Sequence, residues 1–424
     1  MKPLVALLAF VAALFGGAGA VPLLLEARLA TLAPGGVAAA ALAYNPLTGH
    51  LRLRAVSARD ATGREIFRAE EVEASTALLD LVGNAPLTLS RVRVVSPRLV
   101  VATAAPLTLV GLGAPGLLDA PVILDGMAIT HGALVVEEPG RRAFVARDLT
   151  ARLDGPGGFA DGEGAFALET ALYGAEVRIT GQPLGAGAYA LHIRAAGVDA
   201  AALLEDFPHL VQTVGVRVTR GRADVDIRLV VAGSRVLASG QVRIDDLVAR
   251  FTEPRTAPFV AATLILGVDR WDVVAGAGRI SRVELRRPTL SLETRRTPAA
   301  LNALIERLAS PDVMLRRFRI VDGTMRVGSG ADRVTLRGLT FGLQSAAETG
   351  PRAGFVVTAR AAVGPAGRVA VDGALSRDFR RAEGAVRAVG VTLEGCGLND
   401  VSMPLPLEAS VRAVLGMLAS ACDP

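Results

Sequence analysis

The sequence carries one unit twice. Gly49-His50-Leu51-Arg52-Leu53 returns as Gly240-Gln241-Val242-Arg243-Ile244, a separation of 191 (49 to 240). Ser90-Arg91-Val92 returns as Ser281-Arg282-Val283; Pro97, Leu99 and Thr103 return as Pro288, Leu290 and Thr294; Ile129 and Gly132 return as Ile320 and Gly323, all at that same separation. Further on the separation drifts by one: Arg147 and Leu149 match Arg337 and Leu339 at 190, and Gly181 matches Gly373 at 192. A separation held with so few gaps marks a duplicated structural unit. The expected organisation is therefore two copies, 27–215 and 216–406, preceded by a distinct segment 1–25 and followed by a tail, 407–424.

Within each copy the apolar residues alternate with period 2. Leu51 and Leu53 alternate with Arg52 and Arg54, Val92 and Val94 with Arg91 and Arg93, and Phe318 and Ile320 with Arg317 and Arg319. Such alternation describes strands with one apolar and one wet face. Turn signals recur at Asn45-Pro46, Thr62-Gly63, Gly83-Asn84, Asp125-Gly126, Asp154-Gly155, Asp322-Gly323 and Asp372-Gly373. Long amphipathic segments are scarce, so the pattern predicts a mainly β chain of two tandem antiparallel meanders with a few short helices.

Three helices are expected. Thr297-Pro298 supplies an N-cap and a proline at the first helical position, followed by the stripe Leu301, Leu304, Ile305 and Leu308 and a stop at Ser310-Pro311. A second runs from Asp199 to Phe207, and a third from Leu407 to Ala421. The counterpart of the first in the other copy, Pro106 to Pro121, is rich in Gly and Pro and reads as a loop.

A long meander must bury its apolar face, either as a sandwich or as a curled sheet around an open channel. Aromatic residues make up 4% of the chain, with one tryptophan, Trp271, and thirteen phenylalanines. The strand faces are instead Val, Leu, Ile and Ala. An aliphatic trough suits an acyl chain, which needs apolar contact at about 0.8 kcal/mol per CH₂ and no hydrogen bonds. An ordinary aliphatic core satisfies the same periodicity.

Composition removes other classes. The low aromatic content is poor for stacking on bases. Lys2 is the only lysine among 46 basic residues, an arginine bias that reads as codon usage, and the arginines are scattered between apolar residues. Nucleic acid is therefore not an expected partner. The four histidines, His50, His131, His192 and His209, have no ligand spacing, so neither a metal nor another cofactor is expected.

No catalytic residue emerges either. Gly111-Leu112-Gly113-Ala114-Pro115-Gly116 fits G-x-G-x-x-G, but Pro115 and the following Leu117-Leu118-Asp119-Ala120-Pro121 leave no helix to hold a phosphate. The carboxylate pairs Glu70-Glu71, Glu137-Glu138 and Asp245-Asp246 fall beside strand edges or turns, and an enzyme is not expected.

The N-terminus points to export. Leu4 to Phe15 is an unbroken apolar run behind Lys2, and Ala18-x-Ala20 is a small-residue cleavage pattern. The apolar stretch continues to Leu25, stopping at Glu26, so residues 4–25 serve equally as an uncleaved membrane anchor. In an oxidising compartment Cys396 and Cys422 would form a disulfide worth on the order of 3 kcal/mol; two buried thiols are the alternative.

Several of these motifs resemble AsmA-like proteins. They are Tyr44-Asn45-Pro46-Leu47-Thr48-Gly49 leading into Leu51-x-Leu53, the turn Asp60-Ala61-Thr62-Gly63, and the two Ser-Arg-Val strands ending in Pro-x-Leu at 90–99 and 281–290. Ile129-Thr130-His131-Gly132-Ala133-Leu134 and Ile320-Val321-Asp322-Gly323-Thr324-Met325 complete the repeat. The resemblance implies an elongated β-groove, apolar inside and open along one side, like that of bridge-like lipid-transfer proteins. It further implies a periplasmic protein of a Gram-negative bacterium, held by one N-terminal helix in the inner membrane and engaged in phospholipid transport or outer-membrane homeostasis. About two dozen strands at about 4.8 Å each give a groove of roughly 115 Å at most, short of bridging the envelope alone.

The candidate groove-lining positions are Leu51, Leu53, Val92, Val94, Leu99, Val101, Val242, Ile244, Val283, Leu285, Leu290, Leu292 and Ile320. Each serves equally as plain core packing. The competing expectation is a scaffold with a filled core that aids outer-membrane protein or envelope assembly, alone or with other envelope proteins. Phospholipid is the expected ligand of the first reading only.

Overall fold

In the computed structural model, the described residues are 36–45, 47–60, 62–77, 87–102, 122–137, 143–154, 164–185, 188–206, 216–233, 235–251, 258–292, 312–327, 334–346, 354–364, 366–376, 382–393, 396–398 and 401–405. The N-terminal segment with Ala18 and Ala20, the helices expected at 297–308 and 407–421, and Cys422 with its proposed disulfide lie outside them.

The chain is mainly β, a large mixed sheet with one short helix among the described residues. The strands of the first half are β1 (Val37–Ala38), β2 (Ala41–Asn45), β3 (His50–Arg59), β4 (Glu65–Ser75), β5 (Leu87–Val95), β6 (Arg98–Ala102), β7 (Val122–Glu137), β8 (Phe144–Asp154), β9 (Ala165–Leu172), β10 (Ala175–Gly185) and β11 (Ala188–Asp199). Helix α1 (Ala200–Asp206) follows, close to its expected bounds. The Asp199 carboxylate caps it, accepting from the backbone N–H of Ala201 at 2.9 Å and of Ala202 at 3.1 Å.

The second half continues with β12 (Val216–Ala232), β13 (Arg235–Phe251), β14 (Phe259–Asp272), β15 (Ala277–Arg286), β16 (Thr289–Leu292), β17 (Val313–Leu315), β18 (Arg317–Val327), β19 (Val334–Ser345), β20 (Gly354–Val363), β21 (Gly367–Ser376), β22 (Ala382–Val389), β23 (Val391–Leu393), β24 (Cys396–Leu398) and β25 (Val401–Leu405). Two compact units result. One comprises the chain to Arg194 with Arg228–Val236; the other comprises Ala195–Ile227 and Leu237 onward.

In the first unit β2, β3, β4 and β5 pair antiparallel in chain order, opened by a hairpin at Asn45. That turn closes on itself: the Asn45 carbonyl accepts from Gly49 N–H at 2.8 Å, and its side chain accepts from Leu47 N–H at 3.0 Å. Gly49 has φ +66°, and a Cβ there would lie 2.6 Å from the Thr76 carbonyl oxygen, so only glycine fits. The next turn is held by Asp60, whose carboxylate accepts from the N–H groups of Thr62 and Arg64 and from the Thr62 hydroxyl.

The meander is not antiparallel throughout. β5 and β6 both pair parallel with β7, in registers such as Val94 to Ile129 and Arg98 to Ala133. In the second unit β15 pairs parallel with β17 and β18, and β16 parallel with β18. A parallel pair needs a crossover of a dozen or more residues. The chain supplies it twice, at 103–121 and 293–311, so the Gly- and Pro-rich stretch of the first copy occupies a crossover position. Antiparallel pairing then resumes from β7 through β10 and from β18 through β22 to β25.

The duplicated sequence produces duplicated registers. Leu87 pairs with Val122 and Gly278 with Val313; Val94 pairs with Ile129 and Leu285 with Ile320; Arg98 pairs with Ala133 and Thr289 with Thr324. Left-handed residues recur in step as well. Ala55, Ser96, His131 and Asp148 have φ between +48° and +55°, and their counterparts Asp246, Arg287, Asp322 and Gly338 lie between +46° and +57°.

These residues work as a crease. Each flips the strand's alternation by one, so apolar side chains stay on the same face to either side of it. Leu51 and Leu53 are buried before Ala55, and Val56 and Ala58 after it. At the crease the Ser96 N–H donates to the Thr130 carbonyl at 2.8 Å, and the Pro97 carbonyl accepts from Ala133 N–H at 2.7 Å. Arg287 to Val321 and Thr324 to Pro288 repeat both bonds at the same distances.

Candidate functional site: an apolar sheet face

Directly opposed residues of paired strands point to the same face, so the registers define rows across each unit. In the first unit one row reads Leu42, Leu53, Val72, Val94, Ile129, Ala151, Leu168 and Ile179. In the second it reads Ile244, Leu264, Leu285, Ile320, Phe341, Ala359, Val371 and Val386. No polar residue interrupts either row. A neighbouring row of the second unit, Val242, Leu266, Val283, Phe318, Leu343 and Val357, is equally apolar.

The face is covered unevenly. Leu51, Leu53, Val92 and Val94 are buried, while Val72, Ile129, Leu168 and Ile179 are half-buried. In the second unit Ile244, Leu264, Leu285, Ile320, Phe341 and Val371 are all half-buried; Val386, at 2%, is the buried member. The packing clusters are lateral. Leu315, Leu343 and Phe355 gather Ile280, Val283, Phe318, Phe341, Val357 and Leu375, all from successive strands of one face. Ala69, Ala74, Val92 and Val94 gather Met127 and Ile129 in the same way. Large side chains are fully buried at some strands, Leu153 and Leu315 at 2% exposure and Phe355 at 5% among them, so the face is closed in places and half-open in others.

The candidate positions fall as follows. Leu51, Leu53, Val92 and Val94 lie on the apolar face before the crease of the first unit. Leu99 and Val101 lie beyond it, opposite Leu134 and Val136. Val242, Ile244, Val283, Leu285 and Ile320 occupy the two rows of the second unit, and Leu290 lies past its crease, opposite Met325. Leu292 lies in β16 with its side chain outside the described residues.

The opposite face is ionic. Arg52 bonds Glu71 and lies 3.7 Å from Glu73, which in turn lies 3.9 Å from Arg93. The Arg52 hydrogen bond holds the Glu71 carboxyl below the usual range. In the second unit Arg243 and the Thr263 hydroxyl, at 2.9 Å and 2.7 Å, hold Asp245 low. The Glu284 side chain is only 3% exposed, between Arg282 and Arg286, the latter at 2.7 Å. Burial alone would push its carboxyl up, but the two arginine hydrogen bonds outweigh that and hold it low.

Sequence reasoning passed over two features. The crease is one, although the pairing of Ser96-Pro97 or Arg287-Pro288 with a later Ile-x-x-Gly was its signal. The other is the arrangement of arginines on the wet face, where alternation alone reads as solvation. Comparison with known protein families, curated proteins and solved structures finds no match to this chain. Among the described residues no helix is long and apolar enough to cross a membrane.

Proposed function

We propose that the apolar faces of the two units bind the acyl chains of phospholipids, in an exported AsmA-like protein that takes part in lipid transport or outer-membrane homeostasis. The observation that carries this reading is the uninterrupted half-buried row from Ile244 to Val371. Such a row offers an acyl chain continuous aliphatic contact without a polar group to desolvate. Ten methylenes laid on it would gain at most about 8 kcal/mol. The separation of faces supports the same reading, because the ion pairs of Arg52 with Glu71, Arg243 with Asp245 and Glu284 with its two arginines all lie on the other face, while the described apolar rows carry no charged residue.

The test is the full chain, expressed in a Gram-negative host and purified without detergent, followed by native mass spectrometry. Phospholipid adducts are expected on the wild type. Ile244→Asp and Ile320→Asp, each placing a carboxylate on a half-buried row position, should lose them while keeping the β circular-dichroism spectrum. A lipid-free, well-folded wild type would favour the filled-core scaffold.

A further inference from the structure

The wet face of the second unit changes character across β19 to β22. There a shallow open depression of about 690 Å³, solvent included, is lined by Arg337, Arg360, Arg368 and Arg387 around Ala362 and Ala370. The registers explain the arrangement. Arg337 faces Ala362, which faces Arg368; Arg360 faces Ala370, which faces Arg387. The arginines therefore zigzag across four strands, one strand and two residues apart, or roughly 8 Å between successive Cβ positions. Alanine fills the squares between them. Arginine side chains are long enough to reach across that spacing over the small floor.

All four arginines are exposed. Arg337, Arg360 and Arg368 have no carboxylate partner among the described residues. The nearest carboxylate in register, Asp372, lies one row further along, opposite Thr358 and Ala385, and is paired to none of those three.

The first unit supplies an internal comparison. Its equivalent registers are Arg147 opposite Ala171 opposite Glu176, and Thr150 opposite Glu169 opposite Arg178. Glu169 and Arg178 form an ion pair there. Thus Glu169 stands where the second unit has Arg360, and Glu176 where it has Arg368. At these equivalent positions one copy alternates Arg with Glu, and the other has Arg337, Arg360 and Arg368 with no glutamate among them. Solvation of a strand face needs no such accumulation, and like charges this close repel unless an anion joins them.

We infer that this depression is a binding site for a phosphoryl group, the anion whose oxygens match converging guanidinium forks. It lies on the face opposite the acyl-binding rows and does not rest on that reading. The phosphoryl group comes either from a free phosphate ion or from a lipid headgroup presented by a membrane.

The experiment compares the full-length wild type with Arg360→Glu and Arg368→Glu, singly and together. These changes write the first unit's residues into the same strands, so the fold is expected to hold, as circular dichroism would verify. Arg217→Glu with Arg220→Glu, two exposed β12 positions, matches the double variant's change in net charge. Inorganic phosphate is titrated calorimetrically, and sedimentation is measured with vesicles of phosphatidylglycerol or of phosphatidylcholine. The site predicts binding about tenfold or more weaker for each single variant, with the Arg217/Arg220 control near wild type. That loss with inorganic phosphate identifies a free ion. The same loss confined to phosphatidylglycerol vesicles identifies a headgroup. No binding by the wild type to any probe, or an equal loss in the control, overturns the inference.

Discussion

The crease can be tested at one atom. Gly323 has an ordinary backbone φ, so replacing it costs nothing in conformation; what it lacks is room. A Cβ there would lie 2.9 Å from Ile320 Cγ2, 3.2 Å from Pro288 Cγ and 3.4 Å from the Leu339 carbonyl oxygen. Ile320 is β-branched and stiff at χ1, Pro288 is a ring, and Leu339 offers backbone, so none yields easily. Gly323→Ala should therefore cost about 1–3 kcal/mol, the usual penalty for overpacking. Trp271, the only tryptophan, lies on β14 of the same unit and reports its unfolding by fluorescence. With a urea m-value of about 2–3 kcal/mol/M, a loss of about 2 kcal/mol lowers the midpoint by about 0.7–1 M. Adding Ile320→Ala removes the nearest atom, so the double variant should fall short of the summed single losses by at least about 0.5 kcal/mol. An unchanged midpoint in Gly323→Ala, or strict additivity, would refute the close-contact account of the crease.

Other expectations follow from the two faces. Leu53 is 4% exposed, so Leu53→Asp should unfold the first unit, seen as lost circular dichroism, where Ile244→Asp leaves the second intact. Glu284 is held below the ordinary glutamate value of 4.5 in the folded chain, so it stabilises the fold fully at neutral pH. That contribution fades as pH falls below the ordinary value and is gone once the depressed native value is passed. Glu284→Gln should lower the neutral-pH urea midpoint and flatten its acid limb; an acid limb as steep as the wild type's would show that the arginine pair does not hold the carboxylate.

Much of the strand pattern was legible because period-2 alternation and duplication are both local. The separation of 191 between Ser90 and Ser281 reappears as a register, Val94 to Ile129 against Leu285 to Ile320. The parallel step was not legible. Alternation looks the same whichever way the neighbouring strand runs, and only the long stretches after Ala102 and Leu292 hinted at a crossover. The crease was hidden for a related reason. Ala55 and Ser96 carry no preference for left-handed backbone, and Leu99 falls out of phase with Val94 unless Ser96 resets the alternation. The arginine zigzag needed the register itself, since Arg337, Arg360, Arg368 and Arg387 span fifty residues and meet only across paired strands.

Acyl chains bound as proposed would lie along the apolar rows. Photo-crosslinking with a phosphatidylglycerol bearing a diazirine on its acyl chain, followed by peptide mapping, addresses it residue by residue. Adducts are expected on Leu264, Leu285, Ile320 and Phe341 and none on Arg243, Arg282 or Arg319 of the other face. Adducts spread over both faces, or absent from the rows altogether, would contradict it.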